Sequence, residues 1–296
     1  MRITVFTPTY NRGYIIEKLY HSLRRQTFQD FEWVVVDDGS TDNTEDLFNQ
    51  ILSEDNFFPI HYQKNQNGGK HRAINKGVAL AKGDLFCIVD SDDYLTDDAL
   101  KIIDEMEQSI PKEQRKKFGG VCGQRGYDMH TPIGKTFAGD VLDITVLERA
   151  MHKVTGDKAE VIYTDIMRKY PFPEFEGENF LTECVVWDKM AADGYKLRFF
   201  NHICIICNYL PDGLTAREHE ILVKNPKGWG QYIYQCGVFG KTAGLGKWNE
   251  YLQYFYAVRK KLSFFEIAHN LHINPIILWL RLSGMRLFYR IYNQEG

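Results

Sequence analysis

Residues 79–94 read ALAKGDLFCIVDSDDY, and the order of residue types in them decides the fold class. The stretch is a helix end, a glycine break, a buried strand and then a cluster of carboxylates. Val78, Leu80 and Ala81 lie on the apolar face of a helix that closes at Lys82 and Gly83. Gly83 is predicted to turn the chain through a left-handed conformation. Leu85 to Val89 is an unbroken apolar run, the pattern of a strand covered on both faces, as in a parallel sheet. Asp90, Ser91, Asp92 and Asp93 follow directly at its carboxyl end. Three acids in four residues repel one another, and a hard cation bound among them turns that repulsion into attraction. In open parallel sheets, ligands sit outside the carboxyl ends of the strands, where this cluster falls. The competing reading is a solvated acidic turn that caps a helix starting near Thr96.

The same grammar repeats upstream. Ile3 to Phe6 reads as a buried, β-branched strand that ends in the polar loop Thr7-Pro8-Thr9-Tyr10-Asn11-Arg12. Tyr10 can stack on a flat ring there, and Thr9 or Asn11 can hydrogen-bond its edge; a plain turn driven by Pro8, Asn11 and Gly13 is the alternative. Ile15 to Gln26 is an amphipathic helix with Ile15, Leu19 and Leu23 on one face. Phe31 to Val36 is a second buried strand, running into Asp37-Asp38-Gly39, and a helix from Thr44 to Leu52 follows with Asp42 or Asn43 as its N-cap. Pro59 to Gln63 gives a third strand. Gln66-Asn67-Gly68-Gly69-Lys70 then opens a helix from His71 to Ala81. A double glycine with Lys70 and Arg72 in the first turn has the chemistry to hold a diphosphate through backbone N–H groups and cations, although such loops also carry glycine for purely conformational reasons. Strand and helix alternate through the first hundred residues, which predicts a doubly wound α/β domain.

After a helix from Thr96 to Ser109 the pattern changes. Pro111 to Phe118 marks a composition boundary, read as a turn within one globule, and the chain beyond it has short extended pieces at Gly119–Cys122 and Lys135–Phe137. Tyr170 to Glu183 is loop-like, with two prolines, a glycine and several aromatics. Thr182 is placed to cap a helix from Glu183 to Ala192 whose Val186, Trp187 and Met190 face inward. Glu183 then sits in the first turn, where the helix dipole stabilises a carboxylate.

The whole chain narrows the function classes. Its 296 residues suffice for one α/β domain, alone or with an appended subdomain. A net charge of -3 argues against a nucleic-acid partner. Six sparse cysteines suit buried thiols in a reducing, cytoplasmic compartment. Cys204 and Cys207 have zinc spacing, but they lie in the apolar run Ile203 to Cys207 with no second ligand pair nearby, so they read as core. MRITVFTPTYNR at the start is a strand and not a signal peptide, and no apolar run approaches bilayer-spanning length.

Taken together, FTPTYNR at 6–12, VVVDDGSTDNT at 34–44, NGGKHRAINKG at 67–77 and GDLFCIVDSDD at 83–93 resemble the family 2 glycosyltransferases of GT-A fold. The resemblance covers the first hundred residues well and 170–196 more loosely. It implies an α/β, GT-A-like, mostly parallel sheet flanked by helices over residues 1–210, with a nucleotide-binding half (1–110) and an acceptor-side half (111–210); beyond 210 the resemblance gives no help, and 211–296 is expected to be a C-terminal helical extension. It implies an inverting transferase that moves a sugar from a nucleotide-sugar, most often UDP-linked, to a hydroxyl of a glycan or lipid-linked acceptor in surface polysaccharide synthesis, with Mn²⁺ or Mg²⁺ as cofactor.

On single residues, Asp90-Ser91-Asp92 is similar to the family's Asp-x-Asp motif, in which the first acid contacts the ribose and the second holds the metal. Asp37 and Asp38 match the acidic pair that reads nucleobase and ribose. Pro8, Thr9, Tyr10 and Arg12 fall in the loop beside the base, and Lys70 where a cation meets base or phosphates. Aligning Ala192 to Lys196 with the motif A-G-Y puts Glu183 at the general-base position. The family usually shows Glu-Asp there, this chain has Thr182-Glu183, and that departure leaves Glu178 as a rival base. Acceptor contacts are expected from Tyr170 to Phe180.

Two other functions compete. A nucleotidyltransferase has a related sheet, but it carries a glycine-rich basic loop after its first strand, where this chain has TPTYNR. The other is a non-catalytic sugar-nucleotide or glycan binder, against which Asp90, Asp92 and Glu183 count. Finally, Tyr251 to Tyr292 holds Arg259, Lys260, Lys261, Arg281, Arg286 and Arg290 against one acid, Glu266, with Phe264-Phe265, Ile276 to Leu280 and Leu287-Phe288 between them. Such a segment either packs on the rest of the protein or on another copy in a homo-oligomer, or attaches peripherally to the cytoplasmic face of a membrane.

Overall fold

The computed structural model describes residues 1–210, 213 and 217–292, with side chains as far as Gly284. Its first half follows the predicted alternation: β1 (Ile3–Thr9), α1 (Glu17–Arg24), β2 (Phe31–Asp37), α2 (Thr44–Ser53), β3 (Ile60–Lys64), α3 (Lys70–Leu80) and β4 (Leu85–Ile88). These strands pair in parallel in the order β3-β2-β1-β4. Every residue of β1, β2 and β4 is buried, because helices cover both faces and an apolar run without alternation is what such a strand needs. Tyr20 and Leu23 of α1 and Phe48 of α2 pack with Trp33 on one face. Ile74 and Val78 of α3 pack with Phe6 and Val34 on the other.

Gly83 does not take the left-handed turn expected of it. Helix α3 ends at Leu80, with Ala81 extended at φ -60° and ψ 135°. A glycine is required at 83 for space instead, since a Cβ there would lie 2.4 Å from the Thr4 backbone nitrogen. Gly77, on the buried side of α3, is tighter still: a Cβ would lie 2.2 Å from the Phe6 ring.

Beyond β4 come β5 (Tyr94–Leu95), α4 (Ala99–Gln108), β6 (Phe118–Gly126), β7 (Val141–Ile144), β8 (Lys158–Tyr163), α5 (Thr164–Lys169), α6 (Cys184–Ala192) and β9 (Lys196–Ile206). The sheet is mixed here. β8 is antiparallel to both β4 and β6, and β9 is parallel to β6. The full order is β3-β2-β1-β4-β8-β6-β9-β5, with β7 on β9. The expected extended piece at 135–137 is not a strand; the strands lie at 141–144 and 158–163. Helix α4 begins at Ala99 rather than Thr96, and α6 begins at Cys184 with Glu183, not Thr182, in the N-cap position. Val186 and Met190 are buried as predicted, and Trp187 is half-buried against Phe172. One core cluster holds Ile3 and Leu100 together with Val121 and Phe200, so the chain on both sides of 111–118 shares a sheet and a core.

The C-terminal part is helical: α7 (Glu218–Lys224), α8 (Pro226–Val238), α9 (Gly244–Val258), α10 (Phe264–Asn270) and α11 (Pro275–Tyr292). Tyr251, Tyr254, Val258, Ile267, Leu278 and Leu282 form a separate cluster within it. Helix α11 uses Leu278 and Leu282 for that packing and leaves Ile276, Ile277, Trp279 and Leu280 exposed. The side chains of Arg286, Leu287, Phe288 and Arg290 lie outside the described residues. Among the described residues no helix is long and apolar enough to cross a membrane.

Candidate functional site

The topology brings the ends of β1, β2, β4, β6 and β9 and the start of β8 to one edge of the sheet. A cavity of about 680 Å³ opens there. The acid turn after β4 forms its floor. Lys70, at the first position of α3, reaches Asp90 (Nζ–Oδ1 2.5 Å) and Glu183 (Nζ–Oε1 2.8 Å) at once. Burial works against the Lys70 charge, but the two carboxylates outweigh it and hold the ammonium protonated. Burial likewise works against Asp90, and Lys70 and then Arg125 bring its carboxyl below the usual range.

Asp93 is buried in the cavity wall. It pairs with Arg125 (2.7 Å), accepts from the Asn208 backbone N–H (3.1 Å) and takes the Cys207 thiol (3.3 Å). Burial, with Asp90 and Asp92 nearby, raises its carboxyl to about 6 in spite of Arg125. Asp92 is half-buried on the cavity wall. Burial and then the Asp90 charge push its carboxyl up. Such a group gains from a cation. Among the described residues no three His, Cys, Asp or Glu side chains stand together as a metal site. A divalent ion at Asp92 would therefore complete its shell with phosphate oxygens and water, the usual manner of Mg²⁺. The donor set fits that use.

Opposite the acid turn lies the loop after β1. Pro8, Thr9, Tyr10 and Arg12 all line the cavity, as do Asp38 and Ser91. Tyr10 is exposed at the rim, and the Thr9 hydroxyl is buried without a hydrogen-bond partner, a polar atom facing a site. Asp37 is different. It is fully buried, accepts from the Ser40 N–H (2.7 Å) and the Tyr62 hydroxyl (2.6 Å), and does not reach the cavity. Asp38 accepts from the N–H groups of Gly68 (2.7 Å) and Gly69 (2.8 Å). Those two N–H groups are thus taken by a carboxylate, which corrects the reading of the glycine pair as a diphosphate cradle. Arg72 is also committed elsewhere: its guanidinium donates to the carbonyls of Gly68, Phe175 (2.8 Å) and Glu178. Gly69 has φ +96°, and a Cβ on it would lie 1.8 Å from the Asn179 carbonyl oxygen.

The two candidate bases separate clearly. Glu178 is buried, and its two oxygens accept from the backbone N–H groups of Lys227 (2.7 Å) and Gly228 (2.8 Å) at the start of α8. That is a helix-capping carboxylate. Glu183 makes no capping bond, is about one-third exposed and points its carboxylate at Lys70. Of the expected acceptor stretch, Tyr170 and Phe172 are buried in the core beside α6, while Asn179 and Phe180 line the cavity.

Sequence reasoning missed Arg125, Asp157, Cys207, Asn208 and Tyr209, which also line the cavity. Arg125 carried a signal, being a cation inside the otherwise uncharged strand FGGVCGQRG. Cys204 is in the core as expected; Cys207 is half-buried and donates to Asp93, with burial pushing its thiol up to about 12.

Residues 4–128 match the family model described as glycosyl transferase family 2. The glycosyltransferase GlyG of Streptococcus pneumoniae is 38% identical over 107 residues, which are 36% of this chain and 35% of that protein. The GalNAc(5)-diNAcBac-PP-undecaprenol beta-1,3-glucosyltransferase of Campylobacter jejuni is 26% identical over 194 residues, 63% of this chain and 58% of that one. The chain therefore matches well under two-thirds of the length of these relatives. The crystal structure of S. aureus TarS 1–349 superposes with a TM-score of 0.57 at 19% identity, covering 97% of this chain and 92% of that one; TarS is also similar in its complex with UDP-GlcNAc. The mannosyltransferase PcManGT from Pyrobaculum calidifontis, in complex with GDP-Man and Mn²⁺, gives 0.56 at 18% identity over 99% of this chain and 82% of that one. These likenesses show the fold, a mixed α/β sheet of GT-A type. Over residues 4–128 the chain is thus similar to glycosyl transferase family 2.

Proposed function

We propose that the chain is an inverting, metal-dependent glycosyltransferase that moves a sugar from a UDP-sugar to a hydroxyl of a glycan or lipid-linked acceptor in surface polysaccharide synthesis. One observation carries this: a single cavity gathers Asp92, Asp90 and Lys70 on its floor, and Glu183, which is not itself among the lining residues, lies 2.8 Å from Lys70. The naming of relatives as poly(ribitol-phosphate) beta-glucosyl- and beta-N-acetylglucosaminyltransferases and as a GalNAc(5)-diNAcBac-PP-undecaprenol beta-1,3-glucosyltransferase supports the acceptor class.

In this reading Tyr10 stacks on the nucleobase, and Asp38 and the unpartnered Thr9 hydroxyl bind its edge and the ribose. Asp90 also serves the ribose, and Ser91 and Arg12 complete the donor side. Asp92, with Asp90 beside it, would hold the divalent cation, which when bound neutralises charge developing on the departing diphosphate. Lys70 places a fixed positive charge at the same floor. Glu183 takes the proton of the acceptor hydroxyl as that oxygen attacks the anomeric carbon. Attack from the face opposite the diphosphate in a single displacement inverts the anomeric configuration, and no covalent intermediate on the protein is needed. The exposed apolar face of α11, together with Lys260 and Lys261 in the turn between α9 and α10, would hold the enzyme at the cytoplasmic face of a membrane, where a lipid-linked acceptor resides.

Incubation with a panel of UDP-sugars and Mn²⁺ tests the proposal. Slow UDP release with at least one donor, abolished by chelator, is the expected result. Sugar-nucleotide synthesis from a sugar phosphate, or failure to bind UDP at all, overturns it.

A further inference from the structure

Past the acid turn, the same edge of the sheet presents an aromatic platform that the donor side does not use. Tyr127 follows β6, Tyr209 follows β9 and Asp157 precedes β8. Since β8 runs antiparallel to β6 and β9 parallel to it, all three residues emerge at the cavity edge. The Tyr127 and Tyr209 rings lie 5.9 Å apart, both about half exposed, and the Tyr209 hydroxyl donates to Asp157 (3.3 Å). Tyr209 and Asp157 line the cavity.

The platform is held in place from below. The Tyr127 N–H donates to the Thr131 carbonyl (2.9 Å), and Asp128 closes that turn by accepting from His130 and Thr131 N–H groups. The Cys207 N–H donates to the Gly126 carbonyl (2.9 Å), and the Asn208 side chain donates to the Asp92 carbonyl (2.8 Å). Lys158 buries its ammonium against the Ile133 and Thr155 carbonyls, while its neighbour Asp157 lines the cavity. Two large exposed aromatics beside a carboxylate are not a folding requirement, since exposed tyrosine rings leave apolar area in water. Their combination matches one ligand chemistry. A pyranose ring has an apolar face of C–H groups that lies on a tyrosine, and an edge of hydroxyls that donate to a carboxylate.

We propose that Tyr209, Tyr127 and Asp157 form the acceptor subsite and that its occupant is a neutral sugar ring of the acceptor glycan. This rests on the transferase reading and adds where the acceptor sits and what is recognised: the sugar next to the reacting hydroxyl, not its lipid or phosphate portion. Of the aromatic stretch 170–180, Tyr170 and Phe172 are core residues, whereas Phe180 lines the same cavity.

The test uses the full chain, saturating UDP with Mn²⁺, and a panel of methyl glycosides and disaccharides read by saturation-transfer NMR. At least one glycoside should show transfer to its ring protons. Tyr209→Ala should weaken that glycoside by about tenfold or more, the loss of roughly one good contact. Asp157→Asn should weaken it similarly, and Tyr209→Phe should retain most of the binding because the ring remains. UDP affinity should be the same in all four proteins, which also shows that each is folded. If UDP binds but no glycoside does, or if Tyr209→Ala leaves glycoside binding unchanged, the subsite assignment is wrong while the donor site stands. If UDP does not bind the unaltered protein, the transferase reading itself fails.

Discussion

Replacing Glu178 and Glu183 by glutamine, one at a time, should give opposite phenotypes. Glu178 is buried and accepts two backbone N–H bonds at the first turn of α8. A glutamine keeps one acceptor oxygen and turns an NH₂ group toward the other N–H. Losing one charge-assisted bond costs about 1.5–3 kcal/mol, and losing the charge at a helix N-terminus adds roughly 0.3–1 kcal/mol. The sum is about 2–4 kcal/mol, which for a chain of this size lowers Tm by roughly 4–16 °C. Glu183 is about one-third exposed and, among the described residues, pairs with Lys70. Breaking that pair costs no more than about 1 kcal/mol after solvent screening. Removing a general base, however, lowers turnover by roughly 10²–10⁴-fold. Thermal unfolding together with UDP release at 20 °C reads both effects. Glu178→Gln should unfold early yet turn over within about threefold of the unaltered enzyme, and Glu183→Gln should unfold normally with turnover almost gone and UDP affinity intact. If Glu178→Gln is the inactive variant and Glu183→Gln turns over normally, Glu178 is the base and the capping argument is wrong.

Asp92→Asn should abolish the stimulation of turnover by Mn²⁺ without lowering Tm, since burial and Asp90 already disfavour that charge; retained Mn²⁺ stimulation would remove Asp92 from the metal site. His71 is buried with one ring nitrogen unpartnered, and burial lowers its pKa from 6.5 to about 4. Its neutral form therefore supports the fold fully above pH 6.5, and the contribution is lost as pH falls from 6.5 toward 4, by about 2 kcal/mol at pH 5. His71→Leu should flatten urea-unfolding stability across that window, and an unchanged slope would refute the assignment. Gly77→Ala should cost about 1–3 kcal/mol because its Cβ would strike the Phe6 ring, and urea denaturation checks this. The full chain should float with anionic liposomes at low salt, and Ile276→Asp with Trp279→Asp should prevent it; flotation of the doubly substituted chain would show that α11 is not the attachment face.

How much of this was legible in the chain depended on burial. β1, β2 and β4 could be read because helices cover both of their faces, so their apolar runs are unbroken and the acids beyond them stand out. β8 escaped notice because KAEVIY carries Lys158 and Glu160. Lys158 is buried by donating to the Ile133 carbonyl, twenty-five residues upstream, as well as to the nearby Thr155 carbonyl, a solution that no local pattern displays. The glycine pair at 68–69 was read for what its N–H groups could bind, and only the fold reveals that Asp38, thirty residues upstream, takes them. Arg125 and Tyr209 depend on strand pairing between β6 and β9, which is non-local by nature. Glu183 was preferred over Glu178 only through its place before Ala192 to Lys196, since their physical difference lies in what α8 and α3 bring to each of them.

The contact between α3 and residues 174–180 bears on how the protein can diversify. Arg72 ties the Phe175 and Glu178 carbonyls to the donor half, and Gly69 meets Asn179 with no room for a methyl group. These bonds run to backbone atoms, so they are indifferent to which side chains residues 175, 178 and 179 carry but intolerant of insertions or altered chain path. Length variation in this stretch would disturb α3 and, through it, Lys70. Around Tyr127 and Tyr209 it is instead the side chains of Asp128 and Asn208 that hold the chain path, while the two tyrosine rings themselves stay about half exposed. A directed library meant to change which glycan is accepted should therefore randomise the tyrosine tips and leave the length of 174–180 fixed.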